Sequence, residues 1–289
     1  MKPEILRLTA FASTPNGGNP AGVMLDASSL STDQMQRIAA EVGYAESAFV
    51  TRPGAVGEPG RIAVRYFSPV AEVPFCGHAT VATAVALAER GVADNFVFET
   101  AAGEVPITTS PSPAGITASF TSVEPKVTHM DPGVLDRLLG LLDLAPADLH
   151  EAYPVQLSFA GNTHPVLVLA ETAVFDGFTF APAAVRGLMD EQDWKGTVTV
   201  LRVHSPNEFE ARNLFPVGAI TEDPATGSAA ASVGAYLREL GLVEVPGRVL
   251  IHQGRHVGRP SLLTVDIPAA GGIRVSGTAT EIEQAQPAM

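Results

Sequence analysis

Four side chains in this sequence stand where they could move a proton or hold an anion: Glu46, His78, Asp223 and the single cysteine, Cys76. Glu46 lies three residues past Gly43, which reads as a helix stop, at the mouth of a strand of small and apolar residues. A carboxylate near a helix C-terminus and apolar walls is pushed towards its protonated form, which suits a general acid or base. The competing reading is a surface glutamate that only begins a strand. His78 opens a helix, where the dipole disfavours the imidazolium and leaves a neutral hydrogen-bonding group or proton relay. Asp223 precedes Pro224, which favours extended backbone, and an aspartate in Asp-Pro-x-Thr-Gly is commonly turn chemistry. Cys76 reads more readily as a small buried hydrophobe than as a catalyst.

Two glycine-led helix starts, Gly77-His78-Ala79 and Gly227-Ser228-Ala229, expose unpaired N–H groups and a partial positive charge. Either is open to being an ordinary tight turn into a helix; two copies favour a carboxylate cradle, with glycine admitting an anion close to the backbone. His164 lines the second half of the chain and reads first as a satisfied structural histidine. Arg259 is open to a surface ion pair. The histidines are scattered, and the closest pair, His252 and His256, lies in a Gly-rich stretch unsuited to a helix, so no metal site is expected. Gly17-Gly18-Asn19 lacks the strand–GxGxxG–helix setting of a dinucleotide site. No cofactor is expected.

The elements that must position these groups occur twice. Gly18-Asn19 with Val23 recurs as Gly161-Asn162 with Val166, an offset of 143. Arg65 with Pro69-Val70 recurs as Arg212 with Pro216-Val217, an offset of 147, and the segment from Gly77 to Gly91 recurs from Gly227 to Gly241, an offset of 150. The order is kept and the offset grows steadily, as duplication with small insertions would give. Ser31 and Gln34 form a capping box for a helix whose apolar face is Met35, Ile38, Ala39 and Val42, and its counterpart is placed over Pro182–Met189. Strands are predicted at Ala48–Thr51, Arg61–Phe67, Thr197–Val203 and Glu208–Leu214, with a further one inside Met1 to Phe11. The helix over 79–90 is small or apolar nearly all round, so it must be buried on every face, and strands wrapped around it would do that. The joint between halves falls in Ser110–Gly115 or near Glu124-Pro125. The domains are read as 1–118 and 119–271, and the family resemblance given below implies that 272–289 returns to the first.

The totals set limits. Hydrophobic residues at 46% against 17% charged residues allow a sizeable core. A net charge of −13, without a Lys/Arg cluster, argues against nucleic acid. One cysteine permits no intrachain disulfide, and no segment approaches a membrane span, so the expected location is the cytoplasm.

Six segments together resemble the PhzF-like isomerase family. They are Gly17-Gly-Asn-Pro-Ala-Gly-Val23, Ala45-Glu-Ser-Ala-Phe-Val50, Arg65-Tyr-Phe-Ser-Pro-Val70, Pro74-Phe-Cys-Gly-His-Ala-Thr80, Glu222-Asp-Pro-Ala-Thr-Gly-Ser-Ala229 and Gln253-Gly-Arg-His-Val-Gly-Arg-Pro-Ser261. The resemblance implies an α+β protein of the diaminopimelate-epimerase-like fold, with two pseudo-symmetric lobes, each a curled mixed β-sheet around a central helix. It also implies a cofactor-independent isomerase that moves a proton between carbons of a small carboxylated, cyclic or conjugated substrate, such as a dihydro-hydroxyanthranilate. On it Glu46 carries the proton, while Asp223 holds His78 or the substrate across a cleft. Asn19, Cys76, Gly77, Gly227, Ser228, Gln253 and Gly254 fall in its substrate-binding segments, and a homodimer is expected. Epimerases of this fold use two thiols, but Thr226 stands at the second position here, and a hydroxyl is too weak an acid to replace a thiolate. The alternatives are a racemase or epimerase pairing Cys76 with a carboxylate, and a ligand-binding member without catalysis.

Overall fold

The computed structural model describes residues 4–53, 60–92, 94–216 and 221–282. Val217 of the repeat, residues 283–289 of the returning segment and residues 1–3 of the first expected strand lie outside the described residues. The first elements are β1 (Leu6–Ala10), β2 (Asn19–Met24), α1 (Thr32–Val42), β3 (Glu46–Arg52), β4 (Arg61–Phe67), β5 (Glu72–Val73), α2 (Gly77–Ala88), β6 (Asn95–Thr100), β7 (Gly103–Ser112) and β8 (Gly115–Thr121). There follow β9 (Lys126–His129), α3 (Pro132–Leu141), β10 (Gln156–Phe159), β11 (Thr163–Leu169), α4 (Thr172–Gly177), α5 (Pro182–Glu191), β12 (Val198–Ser205) and β13 (Glu208–Leu214). The chain continues through β14 (Glu222–Asp223), α6 (Gly227–Glu239), β15 (Gly247–Gln253), β16 (Ser261–Ile267) and β17 (Arg274–Glu281). It divides into two compact units: Met1–Ala12, Gly18–Phe120 and Ser276–Met289, and Ser13–Gly17 with Thr121–Val275.

In the first unit, β1 pairs antiparallel with β2 and β17, β2 runs parallel to β3, β3 antiparallel to β4, and β4 parallel to β6. Antiparallel pairs β6–β7 and β7–β8 follow, and β17 pairs with β8, closing the ring. In this unit the closed ring uses both edges of the sheet. The second unit repeats the pattern. Its β9–β10–β11 are antiparallel, β11–β12 parallel, β12–β13 antiparallel, β13–β15 parallel and β15–β16 antiparallel.

Inside the ring lies α2. Every residue from Gly77 to Leu87 is buried, against β1, β2, β3 and β7. Ala, Val and Thr fit because a narrow ring admits only small side chains close-packed on all faces. The hydroxyls of Thr80 and Thr83 donate to the carbonyls of Cys76 and Ala79, at 2.8 and 2.7 Å, so they cost no unpaired polar group. In the second unit α6 is buried from Gly227 to Leu237 against β9, β10, β11 and β16. There Gly234 has no room to grow: a Cβ would sit 2.8 Å from both Ile273 and Val265 side-chain carbons.

Further helices cover the outer faces. On the first sheet, Met35 and Ala39 of α1 pack with Met24, Phe49 and Phe67. The capping box forms, with Gln34 N–H donating to Ser31 Oγ at 3.3 Å and Ser31 N–H to Gln34 Oε1 at 2.7 Å, and Gly43 ends the helix at φ 72°. On the second sheet, α3, α4 and α5 bury Leu138, Phe175, Val185 and Leu188 around Trp194. Among the described residues no helix is long and apolar enough to cross a membrane.

Candidate active site

In each unit a bidentate ion pair fixes the short strand that leads into the central helix. Arg65 on β4 donates to both carboxylate oxygens of Glu72 on β5, at 2.7 and 2.6 Å. Arg212 on β13 does the same to Glu222 on β14, at 3.2 and 2.5 Å, and also donates to the carbonyls of Phe175 and Phe178. The recurrence of Arg65 as Arg212 thus marks the same structural joint in both units.

In the first unit this joint delivers Cys76 as the extended N-cap of α2, its carbonyl accepting from the Thr80 N–H and hydroxyl. Thr80 spends its proton there, so Tyr66, 2.7 Å away, donates to it. Burial raises the pKa of Tyr66 and keeps it a phenol. The Cys76 thiol lies 3.6 Å from Glu46 Oε2 and 3.4 Å from His78 Nδ1. His78 Nε2 lies 3.5 Å from the same Glu46 oxygen. The Asn19 amide, at the start of β2, meets His78 Nδ1 at 3.1 Å. Glu46 reaches this point because it begins β3, in register with Ala21 of β2, directly after the turn at Gly43. Its side chain is 16% exposed against 5% for His78, so it is the accessible corner of the triangle. Burial pushes the His78 imidazolium down to about 3, which leaves the ring neutral in the working range.

In the second unit the positions are filled differently. Ser228 occupies the place on α6 that His78 occupies on α2, and the histidine, His164, comes from β11 instead. The backbone N–H of Thr197 donates to His164 Nδ1 at 3.0 Å, and His164 Nε2 lies 3.1 Å from Ser228 Oγ. A ring that accepts at Nδ1 carries its proton on Nε2 and donates it to Ser228, which leaves the serine hydroxyl to donate elsewhere. The Thr197 carbonyl, 3.1 Å from Nδ1, would serve the opposite tautomer. That tautomer would turn a ring N–H against the buried Thr197 N–H, and orphaned N–H groups are rarer than under-used carbonyls. Thr197 and Thr199 both donate to Asn213 Oδ1 at 2.7 Å, completing a buried polar chain behind the histidine. Burial lowers the pKa of His164 to about 4.

Asp223 and Gln253 build the turn before α6. Thr226 donates its hydroxyl to Asp223 Oδ2 at 2.6 Å, and Gln253 donates to the Asp223 carbonyl at 2.6 Å while accepting from Thr226 N–H at 3.2 Å. Gly254 has φ 82°, and a Cβ there would lie 2.3 and 2.5 Å from the carbonyl oxygens of Arg259 and Pro224. Arg259 donates to the Gly17 carbonyl at 3.0 Å.

Glu46, Cys76, His78 and Asn19 are therefore gathered at the start of α2. Asp223, Ser228, Gln253 and Gly254 stand around the start of α6. Absent from the expected set were Tyr66 and Thr80, which brace Cys76, and the Thr197–Asn213 chain behind His164. Among the described residues His256 faces Asp176 at 3.2 Å; the metal-type donors that converge, all within 4.8 Å, are Glu46, Cys76 and His78.

Two sheets, each curled about a buried helix that begins at glycine beside titratable side chains, define an α+β protein of the diaminopimelate-epimerase-like class. Within it the chain belongs to the family described as phenazine biosynthesis-like protein (PhzF), whose pattern it matches over residues 8–285. An uncharacterised isomerase of Bacillus subtilis is 30% identical, with 96% of each chain covered. The trans-2,3-dihydro-3-hydroxyanthranilate isomerase of Pseudomonas aeruginosa is 30% identical over 93% of this chain and 94% of its own. The crystal structure of a PhzF-family protein of Bacillus anthracis superposes with a TM-score of 0.81 at 25% identity, covering 96% of each chain. These relatives support an isomerase.

Proposed function

We propose that this protein is an isomerase that moves a proton between carbons of a small carboxylated, cyclic or conjugated substrate without a cofactor, with Glu46 as the group that carries the proton. The observation that carries this reading is the Glu46–His78 contact at 3.5 Å, a partly accessible carboxylate against a buried neutral imidazole. A carboxylate alternates between acid and base within one turnover, and a neutral ring beside it hydrogen-bonds both forms without competing for the migrating proton. The first N–H groups of α2, at Gly77 and His78, bind the substrate carboxylate; Asn19 and Cys76 frame the same point. Within the second unit, the helix start at Gly227 and the hydroxyl of Ser228 are donors of the same kind, with Asp223 beside them. Asp223 is thereby given the lesser catalytic role, since its carboxylate already accepts from Thr226.

The test is turnover in deuterated water. The substrate that the Pseudomonas relative's name gives, trans-2,3-dihydro-3-hydroxyanthranilate, is tried first, followed by a panel of cyclic amino and hydroxy acids. Product carrying solvent deuterium at the carbon that gains the proton supports the reading, and a Glu46→Gln variant that turns over normally overturns it. The second reading, a racemase that uses Cys76, is favoured by the thiol lying 3.6 Å from Glu46 and 3.4 Å from His78. Cys76→Ala separates the two: it abolishes thiol-based racemisation and leaves a Glu46-based isomerase active. A homodimer is the assembly that the family resemblance points to, and sedimentation at micromolar concentration tests it.

A further inference from the structure

We propose that Asn19 is a positioning residue: its side-chain amide fixes the ring proton of His78 on Nε2 and so aims that N–H at the Glu46 carboxylate. Asn19 is buried at the start of β2, in register with Ala10 of β1 and directly after Gly18. Gly18 has φ 76°, and a Cβ there would lie 2.4 Å from Thr9 Oγ1, so the turn that delivers Asn19 admits no side chain before it. From this point Asn19 Nδ2 meets His78 Nδ1 at 3.1 Å. An amide nitrogen only donates, so Nδ1 accepts, and a neutral ring that accepts at Nδ1 carries its one proton on Nε2. Nε2 lies 3.5 Å from Glu46 Oε2, which gives that proton an acceptor.

The opposite tautomer fails twice. It would turn an Nδ1–H against the Asn19 N–H, and it would set the Nε2 lone pair against a carboxylate oxygen. The Pro20 carbonyl is a further acceptor beside the ring; if it drew the proton to Nδ1, both mismatches would remain. Cys76 Sγ lies 3.4 Å from Nδ1 and 3.6 Å from Glu46 Oε2, so its proton has two acceptors within reach. With the Nδ1 lone pair taken by Asn19, the thiol donates to Glu46. The hydrogens then run one way, from Asn19 to the ring, and from the ring and the thiol to Glu46 Oε2. An aspartate at position 19 would reverse this order, because its carboxylate only accepts and would hold a proton on Nδ1. If Glu46 carries the proton in catalysis, Asn19 acts on turnover through His78 without touching the reacting atoms. That consequence rests on the function proposed above; the tautomer does not.

Ring-nitrogen NMR on the whole 15N-labelled protein tests the tautomer without a substrate, the His78 signals being those lost in His78→Gln. The wild type should show a protonated Nε2 and a bare Nδ1 from pH 8 down to about pH 5, because burial holds the imidazolium down to about 3. Asn19→Asp should place a proton on Nδ1, as the other tautomer or as a doubly protonated ring. An Nδ1–H ring in the wild type, or a ring still wholly Nε2–H in folded Asn19→Asp, overturns the proposal. Should Asn19→Asp not fold, Asn19→Leu takes its place. It loses the N–H without adding charge and should show an Nδ1–H population that the wild type lacks; a ring unchanged from wild type overturns the role of Asn19. With a substrate in hand, Asn19→Asp should lower kcat at saturation by at least about tenfold, whereas a residue that only bound substrate would raise KM. A moved ring proton with kcat unchanged leaves Asn19 in control of the tautomer and removes Glu46 from the reaction instead.

Discussion

At the scale of the residue, chemistry is set by which proton each histidine keeps. His78 and His164 are buried and neutral, so neither competes with a carboxylate for a proton near neutral pH. Glu46 is then the titratable group of the triangle with access to solvent. Glu46→Gln keeps volume and hydrogen bonding but loses the transferable proton, and should lower turnover by roughly 10² to 10⁴ while leaving ligand affinity largely intact. Stopped turnover with unchanged circular dichroism is the expected pair of measurements. For His164 the expected outcome needs no substrate: ring-nitrogen NMR should show an Nε2–H tautomer from pH 8 down to about pH 5. An Nδ1–H signal would remove the hydrogen-bond direction assigned to Ser228. Little of this was legible in the sequence. Glu46 and His78 stood out by motif, but they are 32 residues apart, and their approach depends on a strand start and a helix start meeting through the ring of β1, β2 and β3. The His164–Ser228 contact spans 64 residues, and no local pattern announces it.

Among the elements, the central helices were the most legible, because an all-round apolar helix has only one way to satisfy its faces. The strands predicted at Arg61–Phe67 and Glu208–Leu214 match β4 and β13 in full, since alternation and β-branched content are local signals. Closure by β17 was not derivable from any window: it requires the chain's last strand to find β1 and β8 at once. The paired Arg–Glu joints give a comparison internal to the molecule. Arg212 and Glu222 side chains are 8% and 10% exposed, whereas Arg65 and Glu72 are 31% and 34% exposed. Removing Arg212 strands a buried carboxylate and two carbonyls, so Arg212→Ala should cost about 3–5 kcal/mol. Arg65→Ala leaves its partner to water and should cost about 1 kcal/mol or less. Urea unfolding of the two variants checks the ranking; equal losses would mean that burial does not decide the contribution of this joint.

For the whole molecule, each unit encloses one buried neutral histidine next to its central helix, and the acid limb of stability follows from that arrangement. In the folded chain His164 takes a proton only near pH 4, because burial disfavours the imidazolium; in the unfolded chain it does so near the ordinary 6.5. Between those values the unfolded state holds more protons, so its contribution is fully present above about pH 6.5 and is lost as pH falls. The slope for one such histidine is about 1.4 kcal/mol per pH unit in the window between its two pKa values. His164→Gln removes that titration while retaining a polar side chain. It should be less stable than wild type at pH 7.5, where the neutral ring bonds Thr197 and Ser228, and the difference should shrink steadily as pH is lowered towards 5. Chemical denaturation at half-unit intervals from pH 7.5 to 5 measures it. Converging curves are expected; parallel curves would mean that His164 titrates alike in both states, and that the second unit does not hold a neutral ring behind Ser228.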